Sequence, residues 1–265
     1  VLAEHRVQIV GGCTDIFPAT TSPVLQGSVL DVTAVEGLRG ISQTADGWRM
    51  GAATTWSDII AERLPAAFDG LKLAAREIGS VQIQNSATIA GNLCNASPAA
   101  DGVPPLLTLD ASVELVSRAG TRILPLSDFL RGPRQTDLGD DELLGAVLVP
   151  NSAARGGSGF IKLGARKQLI ISIVMVAARM VENNGVIEDI AISVGSCGPV
   201  AVRLGELEAA LKGTKTGPEL LALITEERVT SRLSPIDDIR ASAEYRRAAA
   251  VEIARRLIEQ LVVAP

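Results

Sequence analysis

The stretch Ala87–Asp101, reading ATIAGNLCNASPAAD, limits most strongly what this chain can fold into. It gathers Thr88, Gly91, Asn92, Cys94, Asn95, Ser97, Pro98 and Asp101 with so little side-chain volume that a packed core there is not expected. Small residues let the backbone approach a ligand and leave its N–H groups free to point outward. A phosphate could then reach the main chain, while Asn92, Asn95 and Asp101 offer hydrogen bonds to ribityl or ribose hydroxyls. The same residue types are the common turn formers. At this level an ordinary exposed loop and a phosphate cradle both stay open.

A second glycine segment bears on that choice. Arg6–Val10 (RVQIV) reads as a short buried strand that runs directly into Gly11, Gly12, Cys13, Thr14 and Asp15. A glycine turn straight after a strand is a phosphate-approach device in α/β folds. It lacks the GxGxxG spacing, so a plain βα turn is the alternative, and Asp15 can equally be a helix N-cap.

Composition removes several classes of function. The 265 residues allow one large domain or two smaller ones with a sizeable core. Net charge is −5 without a clustered basic stripe, which argues against a nucleic-acid partner. Apolar runs such as Leu169–Ala178 are too short to span a bilayer. Cys13, Cys94 and Cys197 lie far apart with no CxxC pair, which points to a reducing, cytoplasmic setting and no four-thiolate iron–sulfur cluster. His5 is the only histidine, so most zinc sites and any Ser–His or Cys–His nucleophile pair are excluded, and no metal site is expected. Redox chemistry would have to come from a bound organic cofactor. The chain opens at Val1 on what reads as the end of a helix, so a strand and most of a helix, about 20–30 residues, are expected before it.

Strands are expected at Val29–Val32, Gly47–Gly51 and Glu142–Pro150, with a hairpin of Ser112–Ser117 and Thr121–Pro125 turning at Arg118-Ala119-Gly120. Leu106–Leu109 reads as one more short element. Thr54-Thr55-Trp56-Ser57-Asp58 supplies capping residues before a helix, and Phe68–Ile78 is amphipathic. The small-residue run 151–158 is the expected linker between domains at 1–150 and 159–265. Beyond it, Phe160–Leu163, Ile171–Glu182 and Val186–Gly195 predict a three-stranded antiparallel sheet, although the middle run also fits a helix. In the third run Ile187, Asp189, Ala191, Ser193 and Gly195 alternate with their neighbours. The tail repeats Ala250, Ile253, Ala254, Leu257, Ile258 and Leu261 at helical spacing.

Three segments in order, IVGGCTDI (9–16), IGSVQIQNSATIAGNLCNASPAADGVPPLLTLDA (78–111) and DDIRASAEYRR (237–247), resemble the FAD-binding medium subunits of the molybdenum hydroxylases, the xanthine dehydrogenase and carbon monoxide dehydrogenase family. The resemblance covers essentially the whole chain. It implies an α+β protein: a two-subdomain α/β FAD-binding domain of the PCMH type, then a smaller domain of three-stranded antiparallel sheet plus helices. It also implies FAD contacts by position. Ile9, Val10, Gly11, Gly12, Cys13, Thr14, Asp15 and Ile16 are similar to a first pyrophosphate loop. Gly91, Asn92, Cys94 and Asn95 are similar to a second, with Thr88 nearby and Asp101 as the acidic contact. Ile78 would lie against the flavin, and Leu144 and Lys162 at further contacts, unless Lys162 belongs with Arg166 and Lys167 to a solvated face. Cys94 reads as a packed small side chain, and an aromatic content of 3% leaves aliphatic residues to sandwich the ring.

The function so implied is an FAD-bearing relay that takes electrons from a [2Fe–2S] small subunit, beside a molybdopterin-binding large subunit, and passes them to NAD+, oxygen or another acceptor. A stand-alone FAD-dependent oxidase and a scaffold subunit that has lost flavin are the competing readings. The GGCTD and GLRGI (Gly37–Ile41) stretches lean toward the xanthine-dehydrogenase-like branch, and DDIRASAEYRR reads as a structural mark of the last domain.

Overall fold

The computed structural model describes residues 7–22, 24–25, 27–166 and 169–263; the readings placed on His5, Arg6, the helix end before them and Lys167 lie outside these. Strand β1 (Val7–Val10) leads through the glycine turn to α1 (Ile16–Ala19) and pairs in parallel with β2 (Ser28–Asp31). Only Val10 of β1 is buried.

Next come β3 (Ile41–Gln43) and β4 (Gly47–Gly51), then α2 (Trp56–Ala61). Thr55 starts α2 with a capping box: its hydroxyl accepts the Asp58 N–H, and the Asp58 carboxylate accepts the Thr55 N–H. That arrangement drives Trp56 into the core at 1% exposure. Thr55→Ala is expected to lower stability by about 1 kcal/mol, read as a lower melting temperature of the full chain.

Helices α3 (Asp69–Glu77), α4 (Val81–Ser86), α5 (Ile89–Asn95) and α6 (Val103–Thr108) follow. The hairpin β5 (Ser112–Ser117) and β6 (Gly120–Pro125), the turn α7 (Leu126–Phe129), the small pair β7 (Leu130–Gly132) and β8 (Gln135–Thr136), and β9 (Leu143–Pro150) complete this half. Its antiparallel sheet runs β3-β4-β9-β5-β6, with the apolar β9 at the centre where neighbours cover both edges.

The run 151–158 is not all linker: a 3-10 turn occupies Asn151–Ala153, and β10 (Gly157–Leu163) already begins inside it. Antiparallel to β10 lie β11 (Val174–Asn183) and β12 (Val186–Gly195), and a two-residue β13 (Val202–Arg203) adds a fourth strand that was too short to expect. Helices α8 (Gly205–Leu211), α9 (Pro218–Ala222), α10 (Glu226–Thr230) and α11 (Ala243–Val263) end the chain. The ambiguous middle run is a strand. Val174, Val176, Ala178 and Met180 pack with the apolar face of α11, while Met175 and Ala177 join Ala74 of α3 on the opposite side. A strand buried on both faces reads as a continuous apolar run. For the same reason the alternation expected along β12 fails beyond Asp189, and Ile190–Gly195 are all buried. Gly70 and Gly159 make the contact of α3 with β10 possible, since a Cβ on Gly70 would lie 2.8 Å from the Gly159 carbonyl oxygen.

Candidate functional site

A cleft of about 810 Å³ opens between the β1–α1 turn, the α4–α6 segment and the base of β10. The first wall is the glycine turn. Gly12 and Cys13 are successive left-handed residues, at φ 84° and 57°. Where a left-handed residue such as Cys13 is followed by one without a positive φ, as at Thr14, consecutive N–H groups converge on one point, an anion-binding nest. Among the described residues no acceptor takes the N–H of Gly12, Cys13, Thr14 or Asp15. Asp15 does stand at the N-cap of α1, yet its side chain caps nothing. Gly12 cannot be larger: a Cβ there would lie 1.9 Å from the Ser86 carbonyl oxygen. The turn is therefore pressed against the α4–α5 junction.

The second wall corrects the expectation of an open, coreless loop. Ala87–Asp101 contains the helix α5, and Ile89, Leu93, Ala96 and Ala100 are buried. Its early N–H groups are already used. Ile89 donates to Thr54 O at 2.9 Å, Ala90 to Ala52 O at 3.2 Å, and Gly91 to the Thr88 hydroxyl at 3.1 Å. Thr88 in turn donates to Gly11 O at 3.3 Å, which ties the two walls together. This segment thus presents side chains rather than main chain. Asn92 Oδ1 is buried without a hydrogen-bond partner, the signature of a group awaiting one. Asn95 and Cys94 lie beside it on the wall, with burial pushing the Cys94 thiol up to about 12, as suits a packed and unreactive group.

At the base, Lys162 Nζ donates to Asp101 Oδ2 at 2.6 Å and to Glu77 O at 3.3 Å, and Ser172 Oγ donates to Asp101 Oδ1 at 2.5 Å. The side chains of Lys162 and Asp101 are 6% and 9% exposed, so Lys162 does not belong to a solvated face. Burial raises the Asp101 carboxyl above its ordinary range, with the Lys162 charge pulling the other way. Two of the three Lys162 donors are engaged, which leaves one for the cleft it lines.

Ile9, Gly11, Cys13, Thr14, Asp15, Ile16, Ile78, Thr88, Gly91, Asn92, Cys94, Asn95, Asp101 and Lys162 all line this cleft. Val10, Gly12 and Leu144 do not. Val10 is buried behind the turn and Gly12 faces Ser86. Leu144 is 1% exposed, opposite Leu115 in the core of the five-stranded sheet, because the two-residue period of β9 turns it inward. Trp56, Arg134 and the apolar Leu169–Ile171 also line the cleft and were not foreseen. The capping box hid Trp56 as a core residue. Arg134 reaches Asn95 from the β7–β8 turn, a pairing that no local pattern encodes.

A nest after a strand, an orphaned amide opposite it, a buried carboxylate–ammonium pair below and this volume define a nucleotide-cofactor cleft. Comparison with known proteins agrees. The FAD binding domain in molybdopterin dehydrogenase matches residues 1–152, and the CO dehydrogenase flavoprotein C-terminal domain matches 160–261. The xanthine dehydrogenase FAD-binding subunit of Escherichia coli O157:H7 is 31% identical over 89% of this chain and 82% of its own. The nicotine 6-hydroxylase medium subunit of Paenarthrobacter nicotinovorans is 30% identical over 96% of this chain and 89% of its own. In three dimensions a chain of carbon monoxide dehydrogenase from Hydrogenophaga pseudoflava superposes with a TM-score of 0.90 at 25% identity, covering 98% of this chain and 91% of that one.

The chain belongs to the FAD-binding subunits of the molybdopterin dehydrogenases, of the xanthine and carbon monoxide dehydrogenase type. The residues present fit FAD. The free N–H row from Cys13 to Asp15 suits a pyrophosphate, and the Asn92 side chain and the Asp101–Lys162 pair add polar groups to the wall and base of the same cleft.

Proposed function

We propose that this chain is the electron-transfer subunit of a molybdenum hydroxylase complex, working with a molybdopterin-binding large subunit and a [2Fe–2S] small subunit. When bound, FAD supplies both one-electron and hydride chemistry, which suits a carrier between an iron–sulfur cluster and NAD+, oxygen or another acceptor. The work of the chain is to bind, orient and shield. The observation that carries this reading is the row of unpartnered N–H groups at Cys13–Asp15, residues that line a cleft of nucleotide size. Thr88 holds that row in register with α5, and Lys162 places a buried positive charge beneath an anionic ligand.

The other titratable groups lining the cleft do not make an acid–base set for a substrate. Asp101 is engaged by Lys162 and Ser172, burial raises the Cys94 and Cys13 thiols, and Asp15 is an exposed carboxylate at the rim with no base beside it. That favours the relay over a stand-alone oxidase. The three free cysteines suit a reducing cytoplasm, and no helix among the described residues is long and apolar enough to cross a membrane. We further propose domains at 1–150 and 159–265 joined through 151–158.

The purified protein is expected to carry one non-covalent FAD, read from its flavin absorbance. Gly91→Val combined with Asp101→Ala should empty the site, since a Cβ on Gly91 sits 3.0 Å from the Thr88 hydroxyl that joins the walls. Unchanged flavin occupancy in that double variant contradicts the site. Anaerobic NADH titration tests the acceptor: rapid bleaching supports a nicotinamide partner, and inertness directs the search to another.

A further inference from the structure

The DDIRASAEYRR segment, read from sequence as a mark of the last domain, is wired to the cleft. Asp237 caps the start of α11 through the Ala243 N–H. Asp238 instead binds two arginines, taking the Arg240 fork on Oδ2 and Arg246 Nη2 on Oδ1 at 2.8 Å. Arg246 is 1% exposed, and its Nη1 donates to Ile173 O at 2.6 Å and to Ser196 O at 3.1 Å. Arg240 Nη1 donates to Ser172 O at 3.3 Å. The Ser172–Ile173 backbone is held from its other side as well, because the Ile173 N–H donates to Leu163 O at 2.8 Å, next to Lys162. Ser172 is fully buried, and its hydroxyl ends on Asp101. Arg246 approaches Asp101 by a second route: it holds the Ser196 carbonyl, and the Ser196 N–H donates to Pro98 O at 3.1 Å, three residues before Asp101.

We infer that Asp238, Arg240 and Arg246 form a positioning unit for the cofactor site, acting through Ser172 to fix the orientation of the Asp101 carboxylate beside Lys162. None of the four residues Ser172, Asp238, Arg240 and Arg246 lines the cleft. Their effect is transmitted. A carboxylate with one oxygen on Lys162 and the other on Ser172 has a single rotamer, so the base of the cleft is set before FAD arrives. Without the Ser172 hydroxyl the carboxylate can rotate about its one remaining partner, and binding must then order it. The inference rests on the assignment of Asp101 to the FAD site.

The test uses the full chain, stripped of flavin and titrated with FAD by fluorescence, with the absorption bands of the bound flavin and the melting temperature of the apoprotein recorded alongside. Ser172→Ala is expected to raise the Kd for FAD about tenfold, the cost of one hydrogen bond to a charged group, and to shift the flavin bands. Arg240→Gln should weaken FAD in the wild-type background and have little further effect in the Ser172→Ala background, because both act on one carboxylate. Arg240→Lys, which keeps a donor for the Ser172 carbonyl, should recover most of the affinity. A purely architectural role predicts lower melting temperatures with unchanged Kd and flavin bands, or additive effects of the two substitutions, and either result overturns the inference. Asp101→Asn separates the two levels. If it weakens FAD while Ser172→Ala does not, the positioning unit is wrong and the site stands; if neither matters, the site assignment itself falls.

Discussion

Gly12→Ala is expected to empty the cleft of flavin and to destabilise the protein by about 2–3 kcal/mol or more, combining left-handed strain with a backbone collision. The added Cβ would meet the Ser86 carbonyl oxygen at 1.9 Å and its carbon at 2.6 Å, at a φ of +84°. Both are main-chain atoms of the α4–α5 junction, so no side-chain rotation relieves the overlap. The turn must lift, and the N–H row of Cys13–Asp15 loses its aim. Gly11→Ala is the matched control. There the closest approach of the Cβ would be to a side chain, the Thr88 hydroxyl at 3.1 Å, and φ lies outside the left-handed region. Flavin content and apoprotein melting temperature should fall far more for position 12 than for position 11. Equal behaviour of the two variants contradicts the packing described for the turn.

Lys162→Met carries the second large effect. It leaves Asp101, which is buried and bound to Ser172, without its counter-charge, and breaking a buried pair from one side costs about 3–5 kcal/mol. The pH dependence has a definite sign. A carboxyl whose native pKa is raised holds a proton in the folded state that the unfolded chain releases. Stability from such a group is greatest below the ordinary Asp value of 3.8, declines as pH rises to the raised native value, and is flat above it. In the wild type Lys162 restrains that rise. Removing it carries the native value higher and extends the decline toward neutral pH. The difference in melting temperature between wild type and Lys162→Met should therefore be small near pH 4 and large near pH 7.5. A difference independent of pH would show that Lys162 acts through packing alone. Adding Asp101→Asn to Lys162→Met should recover part of the loss, since no unpaired charge then remains buried.

Much of this architecture was legible because the signals are local. The capping box at Thr55 and Asp58 works within one helical turn, and it formed as the spacing predicts. The hairpin closing at Gly120 needed only a turn between two β-rich runs. The glycine turn after β1 was legible as a turn because glycine tolerates the positive φ found at Gly12. Position by position, resemblance brought 14 of the 17 expected contact residues to one cleft.

What local pattern did not place shares a cause. Leu144, which the resemblance implies as a further cofactor contact, lies off the cleft lining, because its direction depends on which face of β9 meets the core, and that is set by pairing with β4 and β5. The Ala87–Asp101 segment looked too small to pack, yet Ile89, Leu93, Ala96 and Ala100 are buried in it because Trp56 and α6 supply the missing volume around them. Arg134 and Trp56 reach the cleft from elements distant in sequence.

By itself the sequence determined the conformations that single residues impose: where glycine permits a left-handed turn, where a helix is capped and where a strand runs. Only the tertiary structure decided which of those groups remain unpartnered. The free N–H row belongs to Gly12–Asp15, whereas the equally small-residued α5 spends its N–H groups on Thr54, Ala52 and Thr88. Likewise the chain from Asp238 through Arg240 and Ser172 to Asp101 exists only because packing brings α11 and β10 to the same buried corner. Backbone conformation is set by neighbours within a few residues, but the satisfaction of a polar group depends on whatever the fold places beside it.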